Sequence, residues 1–198
     1  TQEQTHNKRK MSRLGIFGGT FNPPHIGHTR LAEHFVNELS LDRLLVIPTA
    51  EPPHKLSTDL VSGEDRMNMC MLAFPDSLVS TIELARGGKS YTFDTLTEIR
   101  AQYPYDELFF IVVSDMLLSF DRWYKHEEIL DMVTLCAADR QEEDSLLKKH
   151  GVPEFFEGKR LHISKLAPFE VSSTQIRELI KNNESTDGWL DPAVRAYI

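Results

Sequence analysis

Residues 14–39 read LGIFGGTFNPPHIGHTRLAEHFVNEL, and the fold turns on how this stretch is parsed. Leu14–Phe17 is a short apolar strand. Gly18 and Gly19 follow it, lack a Cβ, and can take positive φ while letting a ligand approach the backbone closely. Pro23 and Pro24 fix φ and cannot continue the strand. A helix starts near Ile26 and carries Leu31, Phe35, Val36 and Leu39 on one face. Its N-terminus points back at the glycine turn, where unpaired N–H groups and the positive end of the helix dipole favour an anion. His25 and His28 lie three apart in the first turn and can face one ligand. Gly27 between them leaves room for that ligand.

These residues alone leave alternatives open. The dinucleotide fingerprint G-x-G-x-x-G is absent. A pair of histidines could bind zinc, but no third and fourth ligand stands nearby at usual spacing. Two solvated surface histidines are a further reading.

Further along, strands alternate with helices. Arg43–Ile47 is a continuous apolar run, as buried parallel strands tend to be. Pro48–Asp59 is a loop holding Pro52, Pro53, His54 and Lys55. Ser62 caps a helix with Glu64 and Asp65 in its first turn, and Met67, Cys70, Met71 and Phe74 form its core face. Leu78–Leu84 reads as a third strand. Gly88-Lys89-Ser90 ends like a phosphate-binding P-loop, but the required first glycine would fall on Glu83, which rejects that motif. Thr92 can cap a helix running to about Gln102. Glu107–Val113 is a fourth strand with Ser114 and Asp115 at its C-terminal end, where open α/β sheets place ligands. Asp115 suits a ribose hydroxyl or the cap of a helix Met116–Phe120. Trp123 and Tyr124 precede a helix Glu127–Met132. Val133–Ala137, a charged helix Gln141–His150 and a strand Leu161–Ser164 follow. Ser172, Ser173 and Thr174 open a helix containing Arg177, and Asp191-Pro192 caps a closing helix. The alternation predicts an α/β, Rossmann-like doubly wound sheet, mostly parallel, with helices on both faces.

Composition sets bounds. The 198 residues suit one domain over residues 13–198, behind a polar tail of residues 1–12 expected to be flexible. The ten residues ahead of Met11 could be a tag, a leader or a natural extension. A net charge of −8 argues against a general nucleic-acid binder, which usually shows a basic face. Cys70 and Cys136 sit in apolar segments and suit reduced thiols of a cytoplasmic protein. No run approaches the ~18 apolar residues that span a membrane, so no membrane partner is expected. Oligomeric state is not legible.

GGTFNPPHIGH resembles the signature of the HxGH nucleotidyltransferase superfamily, most closely its bacterial nicotinate mononucleotide adenylyltransferases. Four more segments resemble that family in order: the loop with Pro52-Pro53-His54-Lys55, Arg86–Leu96 with its Ser90-Tyr91-Thr92, the Trp123 position, and Val171–Arg177. The resemblance implies a reaction in which the 5′-phosphate of nicotinate mononucleotide attacks the α-phosphorus of ATP and expels pyrophosphate. It implies that His25 and His28 meet the ATP phosphates, with Gly18, Gly19, Thr20 and Phe21 at the ATP site. Lys55 would lie near the phosphates as a charge clamp. Ser173, Thr174 and Arg177 would meet the ATP phosphates from a second helix start. Tyr91 and Thr92 would contact the pyridine substrate, Trp123 would stack on its ring with Tyr124 beside it, and Asp115 would serve nucleotide and substrate. His25, His28, Lys55 and Arg177 are the implied catalytic residues. Mg²⁺ is expected with ATP, held by phosphates and water rather than by a protein cage. One departure stands out: the family's Gly-x-Asp is Val113-Ser114-Asp115 here, and valine cannot follow glycine into positive φ. Another HxGH enzyme, such as a pantetheine-phosphate adenylyltransferase, and a nucleotide-binding protein without catalysis are the alternative readings.

Overall fold

The computed structural model describes residues 11–51, 59–139, 146–166, 169 and 171–198. Residues 1–10, the Pro52–Lys55 loop with Lys55, and the first part of the expected charged helix lie outside the described residues.

Six strands form one sheet: β1 (Arg13–Gly19), β2 (Arg43–Pro48), β3 (Leu78–Val79), β4 (Glu107–Val113), β5 (Thr134–Asp139) and β6 (Leu161–Lys165). Their order is β3-β2-β1-β4-β5-β6, and every pairing is parallel. This is the doubly wound arrangement that the alternation predicts. The chain leaves β1 to build one half of the sheet and returns at β4 to build the other. The order therefore reverses between β1 and β4, and a crevice opens beyond their C-terminal ends.

The strand alternation sorts the core onto two faces. Phe17, Phe109 and Ile111 point to one side, where Leu31 and Phe35 of α1 (Ile26–Glu38), Met69 and Cys70 of α2 (Gly63–Ala73) and Ile176 of α8 (Ser173–Lys181) cover them. Leu14, Ile16, Leu108 and Phe110 point to the other. There they meet Leu96 and Ile99 of α4 (Thr92–Gln102) and Ile129 of α6 (His126–Met132). Cys70 and Cys136 are free and buried, and burial pushes each thiol up to about 12, so neither is a thiolate at neutral pH. Among the described residues no helix is long and apolar enough to cross a membrane.

Four local expectations change. The third strand stops at Val79. The Ser80 hydroxyl accepts the Ile82 N–H and turns the chain into the helix α3 (Ile82–Arg86), built from good helix formers at the sheet edge. The expected helix Met116–Phe120 is instead a single turn, α5 (Ser114–Leu117), followed by a 3-10 turn at Phe120–Arg122. The buried face of α2 is Arg66, Met69, Cys70 and Ala73, and Met71 is exposed. The helix is rotated so that Arg66 and Met69, rather than Met67 and Met71, point inward. Finally, the residue with positive φ after β1 is Phe21, at 48°, and neither Gly18 nor Gly19 adopts it. The expected helix Gln141–His150 is described only in part, as α7 (Leu146–His150).

Candidate active site

A cleft of about 1430 Å³ opens at the C-terminal ends of the central strands. Every site residue expected from the sequence lines it except Lys55, which lies outside the described residues. From the β1–α1 turn come Gly18, Gly19, Thr20, Phe21, His25 and His28. From the start of α4 come Tyr91 and Thr92, and from the segment after β4 come Asp115, Trp123 and Tyr124. Ser173, Thr174 and Arg177 come from α8.

The two histidines are held by the helix they begin. His25 Nδ1 accepts the Gly27 N–H at 3.1 Å, and His28 Nδ1 accepts the His25 N–H at 3.1 Å. Together they make a reciprocal cap of α1. Their rings stack, with centroids 3.8 Å apart. Because Nδ1 is an acceptor in both, a neutral ring must carry its proton on Nε2. Burial pushes His25 down to about 4. Burial, with the neighbouring His25, holds His28 well below the ordinary histidine value. Both are neutral at physiological pH, and each keeps one N–H donor that the cap does not use.

That depression has a consequence for stability. The unfolded chain accepts protons on these rings near pH 6.5, while folded His25 resists until about pH 4. Stability is therefore full above about pH 6.5 and is lost as pH falls through that window. His25 alone contributes roughly 3 kcal/mol to the loss by pH 4. Thermal melts at pH 7.5 and 5.0 should show a smaller drop for His25→Gln than for the wild type. Equal drops would assign the effect to other groups.

Gly27 serves the histidine rather than the ligand. A Cβ there would stand 3.0 Å from His25 Cε1 and 3.1 Å from Nδ1, tighter than ordinary packing. Gly27→Ala should push the ring off its cap and lower kcat/KM by ~10–10²-fold, the usual cost of a misplaced catalytic group. The melting temperature should change little, because alanine's helix propensity and the lost cap are each worth about 1 kcal/mol and oppose one another. A fall in stability with unchanged kcat/KM would refute that expectation.

Phe21 is almost fully buried and packs edge-on against Phe17, Phe74 and His28, so it supports the histidine wall as well as lining the cleft. A left-handed backbone at a phenylalanine stores strain, as functional turns often do.

Helix α8 docks onto the same turn. Ser172 and Gln175 form a capping box, the Ser173 hydroxyl donates to the Pro23 carbonyl at 2.9 Å, and Arg177 Nη1 donates to the Asn22 carbonyl at 2.8 Å. Arg177 Nη2 also reaches Thr174 Oγ1 at 3.3 Å. Two helix N-termini, α1 and α8, thus meet at one cleft. Asn22, which the sequence reading passes over, is the hinge of this contact. Its side chain donates to the Asp59 carbonyl and accepts the Val61 N–H.

At the other end, Tyr91 and Tyr124 are exposed, with ring centroids 5.3 Å apart. Trp123 stacks on Phe120 at 4.8 Å, so one face of its ring already packs on protein. Asp115 is exposed in the first turn of α5. Val113 has φ −87° and ψ 152°, an extended backbone open to any residue. The expected conflict with a glycine conformation therefore does not arise, and the branched side chain simply lines the cleft, 42% exposed.

Sequence reasoning missed further charged residues at the cleft, Asp59, Glu83, Arg122 and Asp139 among its lining. Arg122 lines the cleft as an additional exposed cation. Glu83 lines it as a buried carboxyl, raised by burial and partly held down by a hydrogen bond from Thr95. Arg66 lies behind the wall. None carries a sequence signal: Arg122 sits in a polar turn, and inward orientation of Glu83 and Arg66 is decided by tertiary packing.

A parallel sheet of this order, with an H-x-G-H helix at its switch point, is the arrangement of a nucleotidyltransferase, and a family model described as cytidylyltransferase-like matches residues 16–179. The nicotinate-nucleotide adenylyltransferase of Bacillus subtilis (strain 168) is 36% identical over 195 residues, covering 95% of this chain and 96% of its own. The chain belongs to the cytidylyltransferase-like family and, within it, to the nicotinate-nucleotide adenylyltransferases. The Plasmodium falciparum nicotinic acid mononucleotide adenylyltransferase complexed with NaAD superposes with a TM-score of 0.75 at 15% identity, covering 94% of each chain. The same protein complexed with APC gives 0.73. At that identity these likenesses speak for the fold.

Proposed function

We propose that this protein transfers the adenylyl group of ATP to nicotinate mononucleotide, giving nicotinate adenine dinucleotide and pyrophosphate in NAD biosynthesis. One observation carries the reading: segments far apart in the sequence, Gly18–His28, Tyr91–Thr92, Asp115–Tyr124 and Ser173–Arg177, converge on a single cleft. The family relationship supports it.

No side-chain nucleophile is needed. A 5′-phosphate oxygen of the mononucleotide forms a bond to the α-phosphorus as the bond to the pyrophosphate oxygen breaks. Pyrophosphate leaves with the electron pair. Catalysis is then positioning plus stabilisation of charge on phosphoryl oxygens. The Nε2–H groups of His25 and His28 donate to those oxygens. The N-terminus of α8 and the guanidinium of Arg177 face the polyphosphate, with Lys55 as a further clamp. Thr20 and the glycines of the β1 end leave room for the nucleotide backbone. At the pyridine end, the N-terminus of α4 at Tyr91 and Thr92 receives the nicotinate carboxylate, and Trp123 and Tyr124 flank the ring.

Mg²⁺ would enter with ATP. It would be held mainly by the phosphates and water rather than by a protein cage. The exposed Asp59 and Asp115 would accept from its water shell, and the ion would neutralise phosphate charge. We place the protein in the cytoplasm, in keeping with its two free thiols.

The test is pyrophosphate release with ATP and Mg²⁺, comparing nicotinate mononucleotide, nicotinamide mononucleotide and phosphopantetheine. A preference of ~10-fold or more for the nicotinate substrate is expected, equivalent to ~1.4 kcal/mol of discrimination. ATP binding without release on any acceptor would replace the enzyme by a nucleotide-binding protein.

A further inference from the structure

Arg66 is the largest fully buried side chain among the described residues, 1% exposed, and adenylyl transfer as described does not use it. Among the described residues its guanidinium donates only to backbone carbonyls. Nη1 reaches Thr49 at 2.6 Å and Thr20 at 3.0 Å, Nη2 reaches Ala50 at 3.3 Å, and Nε reaches Val61 at 3.2 Å. Among the described residues no carboxylate forms an ion pair with it. Glu83 is near enough to be felt, but makes no such contact. A buried cation balanced only by a carboxyl out of ion-pair reach is costly, and proteins rarely keep one unless something more balances it.

Its location says what does. Thr20 and Thr49 both line the cleft, and the Thr49 N–H is tied to the Gly19 carbonyl at 2.9 Å. Arg66 therefore lies directly behind the wall formed by the ends of β1 and β2, on the far side from the ligand. The histidines at the front of that wall are uncharged, so they supply donors but no charge. The described cations that line the cleft are Arg122 and Arg177. A low-dielectric protein wall screens poorly, so a full charge behind it is felt by an anion in front.

We propose that Arg66 is a positioning residue and buried counter-cation of the phosphate site, clamping the Thr20 and Thr49 walls together and finding its balancing charge in the bound polyphosphate. The proposal rests on the adenylyltransferase reading for the identity of the ligand, but it needs only that the cleft binds a polyphosphate. The four carbonyls give up part of their negative ends to the guanidinium, so the wall presents less negative potential to the ligand.

The test compares two variants that lose the clamp similarly and differ in charge: Arg66→Lys and Arg66→Gln. The probe is Mg-pyrophosphate, titrated calorimetrically against the full chain, with thermal melts of the free protein alongside. Arg66→Gln should bind at least 10-fold more weakly than Arg66→Lys, while their free melting temperatures stay within a few degrees. A merely structural arginine predicts equal affinities in the two variants, and that result overturns the proposal. Should the glutamine variant not fold, Arg66→Met takes its place in the same comparison with Arg66→Lys: a 10-fold or larger difference supports the charge role, and a smaller one overturns it. Absence of adenylyl transfer in the wild type would instead count against the functional reading, since pyrophosphate binding requires no turnover.

Discussion

His28→Ala lowers the turnover of adenylyl transfer by ~10²–10³-fold, the effect of deleting one donor to a charged transition-state oxygen. The structure explains why alanine removes more than that donor. His28 Nδ1 accepts the N–H of His25, so truncation also strands a backbone donor at the helix start and frees the neighbouring ring. Two further substitutions separate these roles. His28→Asn places an amide oxygen near the Nδ1 position, keeps the cap, and lacks the outer donor. It should melt close to wild type and remain as slow as alanine. His28→Gln carries an amide N–H farther out and should recover about a tenfold share of the loss, within the scale expected of one hydrogen bond to charge. Single-turnover rates at saturating ATP would measure the chemical step free of binding effects. A turnover of His28→Ala within a few-fold of wild type would remove the histidine from the mechanism.

The parts of this molecule that could be read in the sequence are those fixed by local chemistry or by strand and helix periods. The β1–α1 unit is such a case: apolar strand, turn residues and amphipathic helix each state their own conformation, and the structure has all three. The continuous apolar runs at Arg43–Ile47 and Glu107–Val113 likewise announced central parallel strands. What failed was decided by tertiary contact. Ile82–Arg86 has a strand-like neighbour in Leu78–Val79, but the sheet edge offers only two paired residues before Ser80 turns the chain. Met67 and Met71 have helical core spacing, yet α2 is rotated to sink Arg66 toward four carbonyls that no local rule reveals. Gly27 looked like room for a ligand and proved to be room for the His25 ring. The site residues themselves were legible only because the motifs resemble a family; spacing alone left the histidines among phosphate, zinc and solvent.

Arg177→Ala is expected to lower kcat/KM for ATP by ~10²–10³-fold, because it loses charge and geometry together. The guanidinium bridges two parts of the cleft wall. Through Nη1 it holds the Asn22 carbonyl in the β1–α1 turn, and through Nη2 it touches Thr174 in its own helix. Asn22 in turn grips Asp59 and Val61 with its side chain. A ligand phosphate bound by the remaining N–H groups would therefore be registered against the same turn that carries His25. Lysine retains the charge but cannot serve the Asn22 carbonyl and a phosphate in the fork geometry of arginine. Arg177→Lys should consequently recover only the binding component: KM for ATP near the wild-type value, with kcat still depressed by about tenfold or more. Millimolar guanidinium added to Arg177→Ala should restore part of kcat, and the same salt should leave Arg177→Lys unchanged, because its ammonium fills the space. Full activity in Arg177→Lys would reduce the residue to a point charge and detach it from the geometry of the turn.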